Sequence, residues 1–156
     1  MYLFSITYLG IFSLIISVFS FFNIVYSYYF NLYLNLNCYV YSLIISLFLG
    51  SIFIFKKKKN FKISIYYKIL TVLLGYFLLT FLISIPYYLS IYNLTFLDSY
   101  FESISGFTST GFTIFENIKH LDQSLIIWRS STQWIGGLYF LFSIILLIDI
   151  FDNNLK

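Results

Sequence analysis

Residues Thr108-Ser109-Thr110-Gly111-Phe112-Thr113 set hydroxyl side chains around one glycine. Glycine reaches backbone dihedrals that other residues adopt only at a cost, so the run favours extended backbone with an unusual dihedral at Gly111. Such backbone aims successive carbonyls to one side. A row of exposed carbonyl oxygens can replace the hydration shell of a cation, which is the chemistry of a cation filter. The residues just before it read as a short helix, because Ser99 and Glu102 have the spacing of a capping box. Over residues 100–107 that helix spans only about 12 Å at 1.5 Å per residue, too little for a bilayer core roughly 30 Å thick. Its C-terminal end, partly negative, points at the carbonyls and favours cations. Non-helical backbone at membrane depth persists only where it is buried in protein or lines a watery cavity.

Charged and small residues nearby extend this set. Thr108 either caps the short helix or offers its hydroxyl as an innermost ligand. Arg129 lies a turn inside a later apolar run, where charge is expensive. It either snorkels outward along its helix or pairs with a carboxylate such as Glu102 and braces the loop from behind. Gly136-Gly137 permits close packing or a bend, and Gln133 is assigned to the pore side. Asp98, Glu102, Glu116 and Asp122 either gather at an outer mouth and concentrate cations, or are solvated loop charges with Glu102 as a helix cap. His120 alone makes no metal site. With no Ser/His/Asp set, phosphate loop or zinc spacing, the sequence argues against an enzyme and predicts no cofactor.

The elements that position these residues follow from composition. The 156 residues are 60% hydrophobic and 10% charged, with mean hydropathy +0.89, whereas soluble domains carry about 25% charged residues. The chain is therefore expected to be an all-α integral membrane protein. Its net charge of +3 is too small and too concentrated in one loop to argue for nucleic acid. Cys38 is the single cysteine, which excludes an internal disulfide. The absence of alanine beside 20 Phe and 16 Tyr fits an AT-rich coding bias. Phe enrichment is discounted accordingly, and the glycines, tryptophans, Arg129 and Pro86 gain weight.

Four helices of membrane-spanning length are expected. Residues 2–22 form an uncharged apolar run, and residues 23–38 an interfacial connection rich in Tyr and Asn. A second span covers residues 39–55, so that residues 1–55 make an N-terminal transmembrane hairpin. Residues 56–68 hold six lysines and no acid, marking a cytoplasmic loop by the positive-inside rule. Residues 69–90 form the third span, with Pro86 near its outer end as a kink or a stop. After the short helix and loop, residues 114–124 climb back to the surface and residues 125–150 form the fourth span. Counting crossings from the lysine loop puts both termini inside and brings the loop in from outside.

The order FESISGFTSTGFT followed by LDQSLIIWRSSTQWIGGL resembles the first pore loop and following helix of the TrkH proteins, within the Trk/Ktr/HKT potassium transporter superfamily. The short S-T-G-F string is weak evidence by itself; joined to W-R-x-x-x-Q-W-x-G-G it is specific. The resemblance covers the whole chain in layout and residues 98–138 in motif. It implies two extra N-terminal helices followed by one helix/pore-loop/helix repeat over residues 69–152. In that repeat the pore helix spans residues 99–107 and the filter residues 108–113, and Thr108, Ser109, Thr110, Gly111 and Phe112 coordinate K⁺ mainly through backbone carbonyls. Relative to the TVGYG of potassium channels, Thr113 replaces the second glycine. Glu102, Arg129, Gly136 and Gly137 are then structural support. The implied setting is a bacterial inner membrane, with K⁺ as the transported ion and a cytoplasmic nucleotide-binding subunit as a partner.

Family members carry four such units in tandem, and this sequence shows one. Three arrangements accommodate that: a fragment or degenerate copy of a longer gene, assembly with separately encoded repeats, or a homotetramer. The first is preferred, then the second. The rival expectation is a membrane interaction protein or inactive remnant that transports nothing.

Overall fold

With no water at hand to satisfy its amides, a chain this apolar must close its backbone hydrogen bonds within each segment, and helices do so. The computed structural model of the protein describes residues 4–55 and 65–154. It is all-α, as expected: α1 (Phe4–Tyr29), α2 (Leu36–Phe55), α3 (Ile65–Tyr88), the short α4 (Phe96–Phe107) and α5 (Gln123–Asn154), with one 3-10 turn at Ile118–His120. The run Lys56 to Lys62, expected as a cytoplasmic anchor, lies outside the described residues, as do the side chains of Asp149 and Asp152.

Among the described residues, three helices are long and apolar enough to cross a membrane, at Thr7–Tyr29, Leu36–Phe55 and Lys68–Tyr88. The expected boundaries move in three places. The first helix does not stop at Phe22 but runs on to Tyr29, because Asn23 and Ser27 are buried rather than interfacial. With its amide turned to satisfy both atoms, Asn23 donates to the Ser124 carbonyl at 3.1 Å and accepts from the Trp128 amide at 3.3 Å. The third helix neither stops nor breaks at Pro86, which sits inside α3 two residues before its end. The short helix begins at Phe96 rather than Ser99, on a different cap. The expected fourth span lies within α5, which has 32 residues. Within its polar run from Arg129 to Gln133, Arg129, Ser131 and Thr132 are buried against the other helices.

Burial is inverted relative to a soluble protein. Ser13, Ser20, Ser42, Ser46 and Thr80 are fully buried, while Phe21, Phe22, Phe48, Phe77 and Phe81 are exposed. Lipid tails are as apolar as any core, so outward Phe and Leu cost nothing and small polar residues bring helices together. Along the α1/α2 seam, Ser13 donates to the Ser46 carbonyl at 2.6 Å and the Ser20 and Ser42 hydroxyls meet at 3.1 Å. Gly10 and Gly50 face each other on the same seam.

The remaining helices gather on Tyr139 of α5. Its hydroxyl donates to the Val72 carbonyl of α3 at 2.8 Å, and its own carbonyl accepts from Tyr8 of α1 at 3.0 Å. Phe12, Tyr76 and Phe107 pack on its ring with centroids 4.9, 4.9 and 5.3 Å away. Phe107 is the last residue of α4, so this cluster fixes where the short helix ends.

Close approach at that end depends on Gly136. A Cβ there would overlap the Phe107 carbonyl, and backbone cannot swing aside; a Cβ at Gly137 would meet nothing within 4 Å. The support expected of the Gly136-Gly137 pair thus falls on the first residue as a packing contact. Overpacking of this kind costs about 1–3 kcal/mol. Gly136→Ala should lower the unfolding midpoint in detergent, followed by fluorescence of the buried Trp128, whereas Gly137→Ala should leave it within error of the parent.

Candidate functional site

The loop after α4 is held from both ends. At the start of α4 the cap is Thr95, not Ser99. Its Oγ1 accepts from the Asp98 amide at 3.2 Å and donates to Asp98 Oδ2 at 2.6 Å. Ser99 and Glu102 are thereby freed for the interior, where both are buried. At the other end Thr108 is the C-cap, its amide bonding the Ile104 carbonyl at 2.8 Å. Its hydroxyl also donates to Ile104 O at 2.8 Å, so the contact at 2.6 Å between the two hydroxyls carries the Thr110 proton toward Thr108. Both threonine hydroxyls are therefore turned into the loop itself.

Beyond the cap the chain leaves helical geometry. Ser109 takes φ 56 and Gly111 φ 82, two left-handed residues flanking Thr110. At Gly111 a Cβ would find open space, so glycine is suited by its dihedral and not by crowding. Thr108, Ser109, Thr110, Gly111 and the Phe112 ring are all exposed. The Thr110 and Gly111 amides turn inward to the Ser105 carbonyl at 3.0 and 3.4 Å. Among the described residues, the carbonyls of Thr108, Ser109 and Thr110 accept no hydrogen bond.

Behind the loop lies a buried ion pair. Glu102 is 1% exposed and Arg129 9%, and Arg129 Nη1 donates to Glu102 Oε1. The same Nη1 donates to Thr113 Oγ1 at 2.7 Å, and Thr113 in turn donates to Glu102 Oε2 at 3.1 Å. Glu102 Oε2 also accepts the Ile114 amide at 3.1 Å. Arg129 Nη2 reaches the Gly111 and Phe112 carbonyls, each at 3.4 Å. One carboxylate on α4 and one guanidinium on α5 thus hold residues 111–114 from beneath. The guanidinium does not snorkel; it points into the fold.

Other candidate residues are placed elsewhere. The four carboxylates do not converge: Glu116 is exposed, Asp98 serves the α4 cap, and Asp122 ties three connections together. Asp122 Oδ2 accepts from Asn35 Nδ2 at 2.9 Å and Ser124 Oγ at 2.7 Å, while Asn35 Oδ1 accepts the Ile91 amide at 3.1 Å. His120 and Lys119 lie exposed on the 3-10 turn. Gln133 is exposed beside Trp134 and Gly137, in an open groove along α5. Trp128 is buried and donates its Nε1 to the Ile83 carbonyl at 3.2 Å, joining α5 to α3. Sequence reasoning missed Ser105, Thr113 and Asn35 as supports. Only Thr113 carried a signal, its place in the hydroxyl-rich run.

Removing one partner of a buried pair strands the other charge and costs about 3–5 kcal/mol. Glu102→Ala and Arg129→Ala should each destabilise the chain by that order in detergent unfolding. The double variant should lose clearly less than the sum of the two, since it leaves no stranded charge; strict additivity would show that the two groups act independently.

Comparison with known proteins places this arrangement. Residues 37–154 match the TrkH family, described as a cation transport protein. An uncharacterized cation transporter of Methanocaldococcus jannaschii is 36% identical over 110 residues, covering 69% of this chain and 23% of that protein. The Trk system potassium uptake protein TrkG of Escherichia coli is 44% identical over 46 residues, 30% of this chain and 10% of its own length. TrkI of Halomonas elongata, another Trk system potassium uptake protein, is 40% identical over 55 residues, 35% of this chain and 11% of that one. The matched part of this chain spans less than a quarter of each of these relatives. With a short capped helix, a left-handed glycine loop and an Arg-bearing helix inside a match that covers most of the sequence, the chain belongs to the TrkH family of cation transport proteins.

Proposed function

We propose that this membrane protein contributes one quarter of a K⁺-conducting pore, in which residues 108–112 line the ion path as a filter. The observation that carries this reading is the row of unpaired carbonyls at Thr108, Ser109 and Thr110, held outward by two left-handed residues. Naked peptide oxygens are costly in lipid and useful to a partly dehydrated cation. The end of α4 adds the partly negative pole of a helix beside them. Arg129 would repel a cation if its charge stood alone, but Glu102 cancels it, leaving carbonyl dipoles to set the local field.

In this reading residues 69–152 are one helix/pore-loop/helix repeat and residues 1–55 an added hairpin, with both termini cytoplasmic in a bacterial inner membrane. The lysines of residues 56–68 support that orientation. K⁺ enters from outside, sheds water into the carbonyls and moves inward down the membrane potential. One loop supplies one side of an ion's coordination shell, so the remaining sides come from further repeats, in a longer chain or a separate one. A cytoplasmic nucleotide-binding subunit is the regulatory partner that the family relationship suggests.

Growth of potassium-transport-deficient cells at low potassium tests the proposal. Supplying this chain together with the missing repeats should restore growth. Gly111→Ala should abolish that rescue while leaving the protein folded in the membrane, because a Cβ meets nothing at Gly111 and the left-handed dihedral alone costs about 1–2 kcal/mol. Equal rescue by the variant would remove residues 108–112 from the ion path.

A further inference from the structure

Of the five carbonyls in the loop, one is bonded differently from the rest. The Phe112 carbonyl accepts from Ser105 Oγ at 2.6 Å and from Arg129 Nη2 at 3.4 Å. A carbonyl oxygen has two lone pairs, and here both are directed at donors, one of them cationic. Gly111 O meets Arg129 alone, which leaves it a free lone pair, while Thr108, Ser109 and Thr110 keep both.

Ser105 is well placed to impose this. It sits 4% exposed in the last turn of α4 and touches the loop through two atoms. Its carbonyl receives the Thr110 and Gly111 amides at 3.0 and 3.4 Å, which turns those amides inward and the Ser109 and Thr110 carbonyls, which share their peptide planes, away. Its hydroxyl has one proton, given to Phe112 O. The peptide planes before Gly111 and after Phe112 are thus oriented oppositely by a single residue.

We propose that Ser105 is a positioning residue that withdraws the Phe112 carbonyl from the ion-coordinating set, so that this repeat offers a cation the carbonyls of Thr108, Ser109, Thr110 and Gly111. The inference rests on the filter reading of the same loop and narrows it: the outermost of the five positions is a strut to the scaffold, not a ligand. Ser105 then governs how many oxygens a partly dehydrated ion meets, a quantity on which discrimination between K⁺ and Na⁺ depends.

Solid-state nuclear magnetic resonance tests this on the chain assembled with the missing repeats in lipid nanodiscs, with this chain alone isotope-labelled. Isotope-labelled Thr carbonyl carbons with labelled Gly amide nitrogens select Thr110, the one Thr-Gly pair in the sequence. Labelled Phe carbonyls with labelled Thr nitrogens select Phe107 and Phe112, and the helical shift of Phe107 separates the two. On replacing N-methylglucamine with K⁺, the Thr110 signal should move and the Phe112 signal should stay. Ser105→Ala should move the Phe112 signal upfield, as loss of a hydrogen bond requires, and make it respond to K⁺; Ser105→Thr should restore the parent behaviour. Movement of Phe112 with K⁺ in the parent as large as that of Thr110 would overturn the proposal, as would a Phe112 signal unaffected by Ser105→Ala. If neither carbonyl answers K⁺ while Ser105→Ala still moves Phe112, the filter reading itself falls and the proposal with it, an outcome distinct from the other two.

Discussion

The pairing of Glu102 with Arg129 is the contact on which the rest depends. An ionised group moved from water into a low-dielectric interior loses several kcal/mol even after relaxation, and mutual attraction repays this only when geometry and further hydrogen bonds are right. Here those further bonds are supplied by the loop itself: the Thr113 hydroxyl, the Ile114 amide and the Gly111 and Phe112 carbonyls. The charges therefore need the loop as much as the loop needs the charges. A bland hydrophobic pair could join α4 to α5, but it would offer no donor or acceptor to the non-helical backbone of the loop.

Everything around the pair serves to bring α4 and α5 to the right distance. Gly106 lies against Thr132 and Gly136 against the Phe107 carbonyl, so the short helix rests directly on the longer one. Tyr139 anchors that contact to α1 and α3, and Trp128 adds a bond to α3 near the other end. The junction of Asn35, Asp122 and Ile91 joins the α1–α2 connection, the α3–α4 connection and the start of α5. Through it the N-terminal hairpin is part of the scaffold under the loop, not an appendage.

How much of this the sequence revealed varied with the kind of information each residue carries. The all-α membrane class and the short helix followed by a glycine loop are written in hydropathy and in the rarity of glycine. The left-handed dihedral of Gly111 follows from its type, but that of Ser109 has no such sign. The spacing of Glu102 and Arg129 allowed a pair or a snorkelling arginine, and only packing of α4 on α5 decides between them. Boundaries were less legible. Asn23 and Ser27 look interfacial until Asn23 is seen to bond α5, and the Ser99-Glu102 spacing competes with an equally good Thr95-Asp98 spacing four residues earlier. Within the polar run of α5, only the packing shows that Arg129, Ser131 and Thr132 face inward while Ser130 and Gln133 do not. Ser105 could not be found without coordinates, since a serine in a short helix has many common roles and its bond crosses seven positions of loop.

The central claim is that residues 108–112 stand as open backbone partway into the bilayer, held there by the buried pair. Spin labels placed singly along residues 108–117, with collision rates measured against oxygen and a water-soluble nickel complex, read depth and secondary structure together. The account predicts intermediate depth at Thr110, shallower positions rising through Asn117, and no helical periodicity across the series. A periodic lipid-facing pattern, or full water exposure at Thr110 equal to that at Asn117, would contradict it.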